Sequence, residues 1–333
     1  MTRVLITGMG GFIGSHLMEH ILATTDWDVV GLDSFRHKGL TERITDSKYY
    51  RTGLSRVTVL THDLAAPISP ILTEQIGQID YVFHLAAESH VDRSIAYPVW
   101  TIKNNVDVTL NMLEYAREAK PYVFLQCSTD EVYGPAPGTT RHPEWAVILP
   151  SNPYSASKAA QEAIAIAYWR TYGVPVIITN TMNNFGERQD PEKYVPMIIR
   201  AVSNGGKVPV HGKPGEIGSR FYLHARNHAD ALCWLIQHDP AMYPEYERPA
   251  RYNVVGDLEL NNLEVADAVA KCMDRSLEYE LVDHHSTRPG HDLRYGLDGW
   301  KVAQMGWKAP LDFADSLQRT VNWYMENPSW LKL

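Results

Sequence analysis

The segment Thr7-Gly8-Met9-Gly10-Gly11-Phe12-Ile13-Gly14 constrains this chain more than any other. It joins the β-branched run Val4-Leu5-Ile6-Thr7 to a pattern of helical spacing that begins at Phe12. A strand that turns sharply into a helix opens a βα unit, and such units build parallel sheets covered by helices. Without Cβ atoms at Gly8, Gly11 and Gly14, backbone N–H groups can approach a pyrophosphate at the positive end of the helix. Asp33, at the end of the next apolar run, can accept hydrogen bonds from a ribose 2′-OH and would repel a 2′-phosphate. The expected dinucleotide is therefore NAD rather than NADP. Arg36 reads as a solvated loop cation, and Asp63, just after the third strand, reads either as a contact to the adenine or as an ordinary loop carboxylate.

The same alternation continues. Runs at 27–32, 57–60, 81–85 and 123–127 read as further strands, with a sixth at 174–180. Helical stretches cover 100–118 and 154–172, the second stopped by Gly173 and Pro175. Near-continuous apolar strands call for a parallel sheet buried on both faces. The predicted fold is α/β, a Rossmann-like doubly wound sheet over residues 1–180, followed by a smaller, interleaved C-terminal lobe over 181–333. Segments near 222–256 return to the first unit, with a helix at 229–238 and a strand at 252–255. Beyond residue 180 the rhythm breaks into Gly- and Pro-rich stretches such as Gly212-Lys213-Pro214-Gly215, read as loops. That lobe is assigned to substrate.

The chain has 333 residues, 44% of them hydrophobic and 21% charged, with a formal charge of −8. This balance is ordinary for a globular protein and lacks the concentrated basic face of a nucleic-acid binder. Cys127, Cys233 and Cys272 are odd in number and widely spaced, which suits reduced thiols better than a disulfide scaffold or zinc site. No run is apolar for long enough to cross a bilayer. Met1-Thr2-Arg3 leads straight into the first strand without the pattern of a secretory leader, so a cytoplasmic protein is expected.

Chemistry concentrates after the fifth strand, in Ser128-Thr129-Asp130-Glu131-Val132-Tyr133-Gly134, and at Tyr154-Ser155-Ala156-Ser157-Lys158. On a helix, Tyr154 and Lys158 share a face. A neighbouring ammonium and a nicotinamide charge are expected to lower the phenol pKa, making Tyr154 a base toward an alcohol. Adjacent acids in a loop are usually solvated; Asp130 and Glu131 stand out because they lie between an apolar strand and the Tyr–Lys helix.

Gly8-x-x-Gly11-x-x-Gly14 with Tyr154-x-x-x-Lys158 resembles an extended short-chain dehydrogenase/reductase over essentially the whole chain. Residues 84–94 (His-Leu-Ala-Ala-Glu-Ser-His-Val-Asp-Arg-Ser), 128–134, Asn183-Asn184-Phe185-Gly186, Pro191-Glu192-Lys193 and Arg288-Pro289-Gly290-His291-Asp292 resemble, more narrowly, the dTDP-glucose 4,6-dehydratases. The resemblance implies tightly bound NAD, held by Gly8, Gly11, Phe12, Ile13, Gly14, Asp33, Asp63, Leu64, Ala86 and Ala87 together with Tyr154 and Lys158. It implies a nucleotide-hexose substrate bound by Ser89, His90, Thr129, Asn183, Lys193, Tyr194, Arg220, Asn253, Arg288 and His291. Cations in that set suit two phosphate charges. The implied chemistry is oxidation at C4 with Tyr154 as base, proton removal at C5 by Glu131, loss of the C6 oxygen assisted by Asp130, and return of the hydride to C6. Thr129 would bond the C4 oxygen, and Tyr133 would support the loop. A homodimer built through a four-helix interface, from the helices at 100–118 and 154–172, is implied as well.

The chain departs from that family's pattern. Glu187 stands where proline usually follows Asn-Asn-Phe-Gly, Val108 replaces a common glycine, residues 220–228 stray from the expected segment, and the loop from Phe35 to Arg56 has little likeness to it. A nucleotide-sugar 4-epimerase or decarboxylase of the same superfamily is the competing enzyme. An inactive NAD or sugar-nucleotide binding protein is the alternative of another class.

Overall fold

The computed structural model describes residues 2–36, 38–238, 247–283 and 292–332. Seven strands form the central sheet: β1 (Arg3–Thr7), β2 (Asp28–Asp33), β3 (Val57–Thr61), β4 (Tyr81–His84), β5 (Val123–Thr129), β6 (Val176–Thr181) and, late in the chain, β11 (Ala250–Val254). They run in the order β11-β6-β5-β4-β1-β2-β3, and every pairing is parallel. The winding reverses between β1 and β4, which opens a crevice beyond their carboxyl ends, where ligands of open α/β sheets bind.

Strand side chains alternate between two faces, so each strand feeds two cores. Val4 and Ile6 of β1 pack with Leu17 and Ile21 of the helix Phe12–Thr24 and with Leu232 and Ile236 of the helix Ala225–His238. Leu5 faces the other way, into a cluster with Met112 and Leu113 of the helix Pro98–Ala119 and Ala165 of the helix Pro153–Tyr172. Both of the latter helices begin on proline, which is suited to a first helical position where no N–H bond is needed. They start earlier than the apolar pattern alone suggests.

After β6 the chain leaves the sheet, returns through Ala225–His238 and β11, and leaves again. Outside the sheet, β7 (Asn183–Phe185), β10 (Ser219–His224) and β12 (Glu259–Asn261) form one small sheet, and β8 (Val208–Lys213), β9 (Glu216–Ile217) and β13 (Tyr279–Val282) form another. The Gly- and Pro-rich stretch read as a loop is therefore partly a hairpin, because Gly212 and Lys213 pair with Ile217 and Glu216. Gly212 sits at φ +152°, which glycine adopts readily. Ile198, Ile199, Val265, Val269, Leu317 and Val321 close this lobe's core between three helices, Tyr194–Ser203, Asn262–Cys272 and Phe313–Glu326.

Glu187 fastens these parts together. Its buried carboxylate faces His16 Nε2 of the Gly-rich helix at 3.5 Å, His224 Nε2 of β10 at 3.1 Å, Arg226 at 3.1 Å and Arg319 at 3.2 Å. The next residue, Arg188, grips Glu19 with two hydrogen bonds. A proline at position 187 would leave His16, His224 and two arginines without this acceptor, so the departure from the family pattern is structurally accounted for.

Burial opposes ionisation of Glu187, but bonds from His16 and His224 outweigh it and hold the carboxyl far below its ordinary 4.5. His224 moves from 6.5 down to about 4, chiefly through burial. Both shifts act in one direction: folding disfavours protons at both groups. The contribution of Glu187 is full above about pH 4.5 and falls away below it, while that of His224 is lost progressively between about pH 6.5 and 4. Stability should therefore decline from neutral pH to pH 4, and Glu187→Ala should cost about 2 kcal/mol at pH 7 by leaving the buried hydrogen-bonding groups of His16 and His224 without their acceptor. Urea unfolding at a series of pH values measures both; a Glu187→Ala protein as stable as wild type would contradict the fastening role.

Candidate active site

The crevice at the β1/β4 reversal is lined from the Gly-rich turn by Gly8, Gly11, Phe12, Ile13 and Gly14 and from the ends of β2 and β3 by Asp33, Asp63 and Leu64. The β4 side adds Ala86, Ala87, Ser89 and His90; the β5 side adds Thr129, Asp130 and Glu131. The helix Pro153–Tyr172 contributes Tyr154 and Lys158, and the second lobe contributes Asn183, Lys193 and Tyr194. Residues spread over more than half the chain thus meet in one cavity.

The dinucleotide end fits its expected occupant. A Cβ on Gly14 would lie 2.2 Å from the Gly8 carbonyl oxygen, and Gly8 itself has φ +72°. Gly11 caps the helix Phe12–Thr24 with no side-chain bond, so the helix entrance is left to a ligand. Both Asp33 oxygens are oriented by the backbone, Oδ2 by Gly10 N at 2.8 Å and Oδ1 by Phe35 N at 2.9 Å. Burial raises the Asp33 pKa despite these bonds. Arg36 is an exposed loop cation, as expected, and it pairs with Asp63 and reaches Asn104.

β5 extends two residues beyond the expected end, because Ser128 and Thr129 keep pairing with Asn180 and Thr181 of β6. Thr129 then begins a 3₁₀ turn, Asp130–Tyr133. Its hydroxyl donates to Asp130 Oδ1 at 2.9 Å and accepts from Glu131 N at 3.4 Å. The phenol of Tyr133 points away from the cavity and donates to the Glu144 carbonyl at 2.6 Å, consistent with a supporting role.

The two acids have different surroundings. Asp130 is pushed up to about 7 by burial and by the Glu131 charge, and its Oδ2 has no protein partner. Glu131 is raised by burial as well, but Asn152 Nδ2 donates to its Oε2 at 3.1 Å and favours the carboxylate. Asn152 also caps the helix Pro153–Tyr172 through a reciprocal pair with Ser155. An Asn before Pro at the start of an apolar-periodic stretch is a cap signal legible in the sequence; its second task on Glu131 is not.

Tyr154 behaves differently from the expectation. Its pKa stands well above 10, raised by burial and by the charges of Glu131 and Asp130, with a Thr129 hydrogen bond opposing. Lys158 does not offset this, because its ammonium donates to the Cys127 carbonyl at 2.8 Å and burial brings its own pKa down to about 8. The phenol is accordingly protonated until a further positive charge arrives.

Two substrate assignments do not reach the cavity. Arg220 spends its guanidinium on the carbonyls of Ser219, Leu293 and Asp292 and lies 4.4 Å from the Tyr295 ring centre. It acts on Asp130 and Glu131 through its charge. Asn253 is fully buried and donates to His142 O at 2.9 Å and Asp298 O at 3.0 Å, beside a separate hollow lined by Val255, Trp307 and Leu311. Arg288 and His291 lie outside the described residues.

Sequence reasoning missed an ion chain over the cavity mouth. Lys38 from the loop after β2 pairs with Asp190 at 2.9 Å and Glu192 at 3.4 Å, and Glu192 also faces His90 Nε2 at 3.3 Å. It missed Asn105 too, whose amide joins Glu88 and Ser157 behind the cavity. Lys38 and Asn105 carry no local sequence signal, since their partners are distant in the chain. Among the described residues no cluster of His, Cys, Asp and Glu could hold a metal ion, and no helix is long and apolar enough to cross a membrane.

A Rossmann-like sheet with a Gly-rich turn at its switch point, and a Tyr–Lys helix beside the adjoining strand end, defines an extended short-chain dehydrogenase/reductase. The chain belongs, within that class, to the family described as GDP-mannose 4,6 dehydratase, whose pattern matches residues 5–320. It is 35% identical to the dTDP-glucose 4,6-dehydratase of Salmonella typhimurium over 99% of this chain and 94% of that protein. It is 37% identical to a probable dTDP-glucose 4,6-dehydratase of Sinorhizobium fredii, over 98% and 94%. Among solved structures, DesIV, the dTDP-glucose 4,6-dehydratase of Streptomyces venezuelae, with NAD bound, superposes with TM-score 0.86 at 33% identity, covering 99% of each chain. The UDP-glucose 4-epimerase of Thermus thermophilus in complex with NAD also matches, with TM-score 0.84 at 28% identity over 97% of this chain and 99% of that one.

The fold keeps Asp130 protonated up to about pH 7, against 3.8 for a free aspartate. The cost on the ionised form is therefore absent at acid pH and complete above pH 7, on the order of 4 kcal/mol for a shift of this size. Asp130→Asn should unfold at higher urea than wild type at pH 8, with little difference at pH 5. A variant less stable than wild type at pH 8 would show that Asp130 sits comfortably as a carboxylate.

Proposed function

We propose that this protein is an NAD-dependent nucleotide-sugar 4,6-dehydratase, with dTDP-glucose as its substrate and the 4-keto-6-deoxy sugar nucleotide as its product. The observation that carries this reading is the pair Asp130–Glu131 at the end of β5, inside the Tyr154 cavity, with surroundings that separate the two acids. Redox at C4 alone, as in an epimerase, needs no such pair. Relatives of about 35% identity over nearly the whole chain support the same activity. Residues 1–180 with the returning segments near 222–256 hold the cofactor, and 181–333 mainly the sugar nucleotide.

When bound, NAD supplies the hydride acceptor at C4 and the donor at C6, and its ring charge is the positive charge that the raised Tyr154 phenol requires. Tyr154 removes the C4 hydroxyl proton while Thr129 bonds that oxygen. The new ketone acidifies the C5 hydrogen, which Glu131, kept available as carboxylate by Asn152, takes. Asp130, protonated near neutrality, gives its proton to the departing C6 oxygen, and Glu131 returns a proton to C5 when C6 is reduced. Lys193 at the entrance to the helix Tyr194–Ser203 serves the diphosphate, with Ser89, His90 and Asn183 around the hexose.

Tyr154→Phe should abolish turnover. Glu131→Gln should retain C4 oxidation but suppress exchange of the C5 hydrogen with deuterated solvent. Asp130→Asn should slow water loss more than C5 exchange, each by roughly 10²- to 10⁴-fold. Mass spectrometry of the product decides the class: loss of one water from dTDP-glucose is expected, whereas an isobaric product would make the protein an epimerase. Unchanged C5 exchange in Glu131→Gln would remove Glu131 as base.

The protein works in the cytoplasm as a homodimer, through the outer faces of the helices Pro98–Ala119 and Pro153–Tyr172. In support, Val99 and Trp100 at the start of the first helix and Tyr172 at the end of the second are exposed and apolar. Light scattering should give twice the chain mass, and Val99→Lys combined with Trp100→Glu should give the monomer. A monomeric wild type would end this proposal.

A further inference from the structure

Behind Thr129 lies a buried polar group that the chemistry above leaves unused. Asn180 of β6 donates through Nδ2 to the Thr129 carbonyl at 3.0 Å and to Glu162 Oε1 at 2.7 Å, and its Oδ1 faces the Tyr133 hydroxyl at 3.3 Å. Glu162 forms an ion pair with Arg251 of β11, and the two side chains are 0% and 1% exposed. Arg251 donates to the Glu144 carbonyl at 3.0 Å and lies over the Trp145 ring at 4.7 Å.

The sheet does not need these bonds to form. Register alone sets Ser128 opposite Asn180 and Thr129 opposite Thr181. The Thr129 carbonyl sits where the ladder ends and the 3₁₀ turn starts, so the amide fixes the last point of the strand. Glu162 follows Tyr154 and Lys158 at four-residue steps on one face of their helix. Both Asn180 N–H groups meet oxygen acceptors, and this sets the orientation of the amide. One side chain thus couples the axial position of the Tyr154 helix to that of the strand end bearing Thr129.

We propose that Asn180 is a positioning residue for the C4 redox step, setting the Thr129 hydroxyl relative to the Tyr154 phenol, with the acceptor oxygen at position 162 as its anchor. This rests on the dehydratase reading. A buried ion pair is a weak source of net stability once its desolvation is counted, which agrees with a geometric role. Displacements of about 1 Å at a reacting centre cost up to ~10²-fold in rate.

The test uses the full-length protein loaded with NAD and assayed with dTDP-glucose. Asn180→Leu removes both donors at nearly constant volume and should lower kcat on the order of 10- to 100-fold with KM within about twofold. It should also raise the kinetic isotope effect with C4-deuterated substrate as hydride transfer becomes slower. The double variant Glu162→Gln with Arg251→Met removes both charges yet keeps an acceptor for Asn180, and should hold kcat within about threefold of wild type. A folded Asn180→Leu protein with near wild-type kcat, an unchanged isotope effect, or a double variant as impaired as Asn180→Leu would each overturn the proposal. If Asn180→Leu does not fold, Asn180→Ser is judged by the same criteria. Wild-type protein that releases no water from any nucleotide hexose would instead refute the function it rests on.

Discussion

The bond from the Lys158 ammonium to the Cys127 carbonyl is the contact on which the site's geometry turns. It crosses from the helix Pro153–Tyr172 to the buried strand β5 at 2.8 Å, with both residues out of water. An ammonium in that position is held only by a well-placed acceptor, and burial brings its pKa down to about 8. Tyr154 stands one helical turn before it and Thr129 two residues past the acceptor. A shift of either element would therefore disturb the Lys158 bond and the Tyr154–Thr129 spacing together.

That arrangement places costly groups side by side. Asp130 is raised to about 7, Glu131 is raised, and Tyr154 stands well above 10, all led by burial. Like charges push each of them further, while the Asn152 bond favours the carboxylate at Glu131. A dinucleotide with a cationic ring would reverse the balance at Tyr154 most directly. The site is in this sense tuned to a positively charged occupant, and folding carries the cost of holding it so.

Much of this was readable from the chain. The Gly-rich turn, the alternation of apolar runs and the Tyr–Lys spacing are local signals, and they led to the observed sheet and to most of the cavity wall. The misses share one cause, dependence on partners far away in sequence. β5 reaches Thr129 because β6 offers Thr181, and β10, like the β8–β9 hairpin, owes its existence to pairing that no single segment reveals. Arg220 and Asn253 have side-chain types suited to phosphate and sugar, yet neighbouring carbonyls claim them first. Type and motif position indicate what a side chain can bind; only the fold shows what has already bound it.

Glu187 shows how a departure from a family pattern can be absorbed. A proline after Gly186 would fix the backbone through its ring, whereas here the same turn is fixed by a carboxylate with four basic partners drawn from the Gly-rich helix, β10, the helix Ala225–His238 and the helix Phe313–Glu326. His224 Nδ1 accepts from Arg226 N at 3.0 Å, so its Nε2 carries the hydrogen given to Glu187. His16 Nδ1 faces the Phe12 carbonyl at 2.9 Å and its Nε2 faces Glu187. Glu187 thus ties the Gly-rich helix, close to where a pyrophosphate would lie, to the second lobe. Backbone restraint and charge balance, separate matters where proline stands, are joined here in one residue.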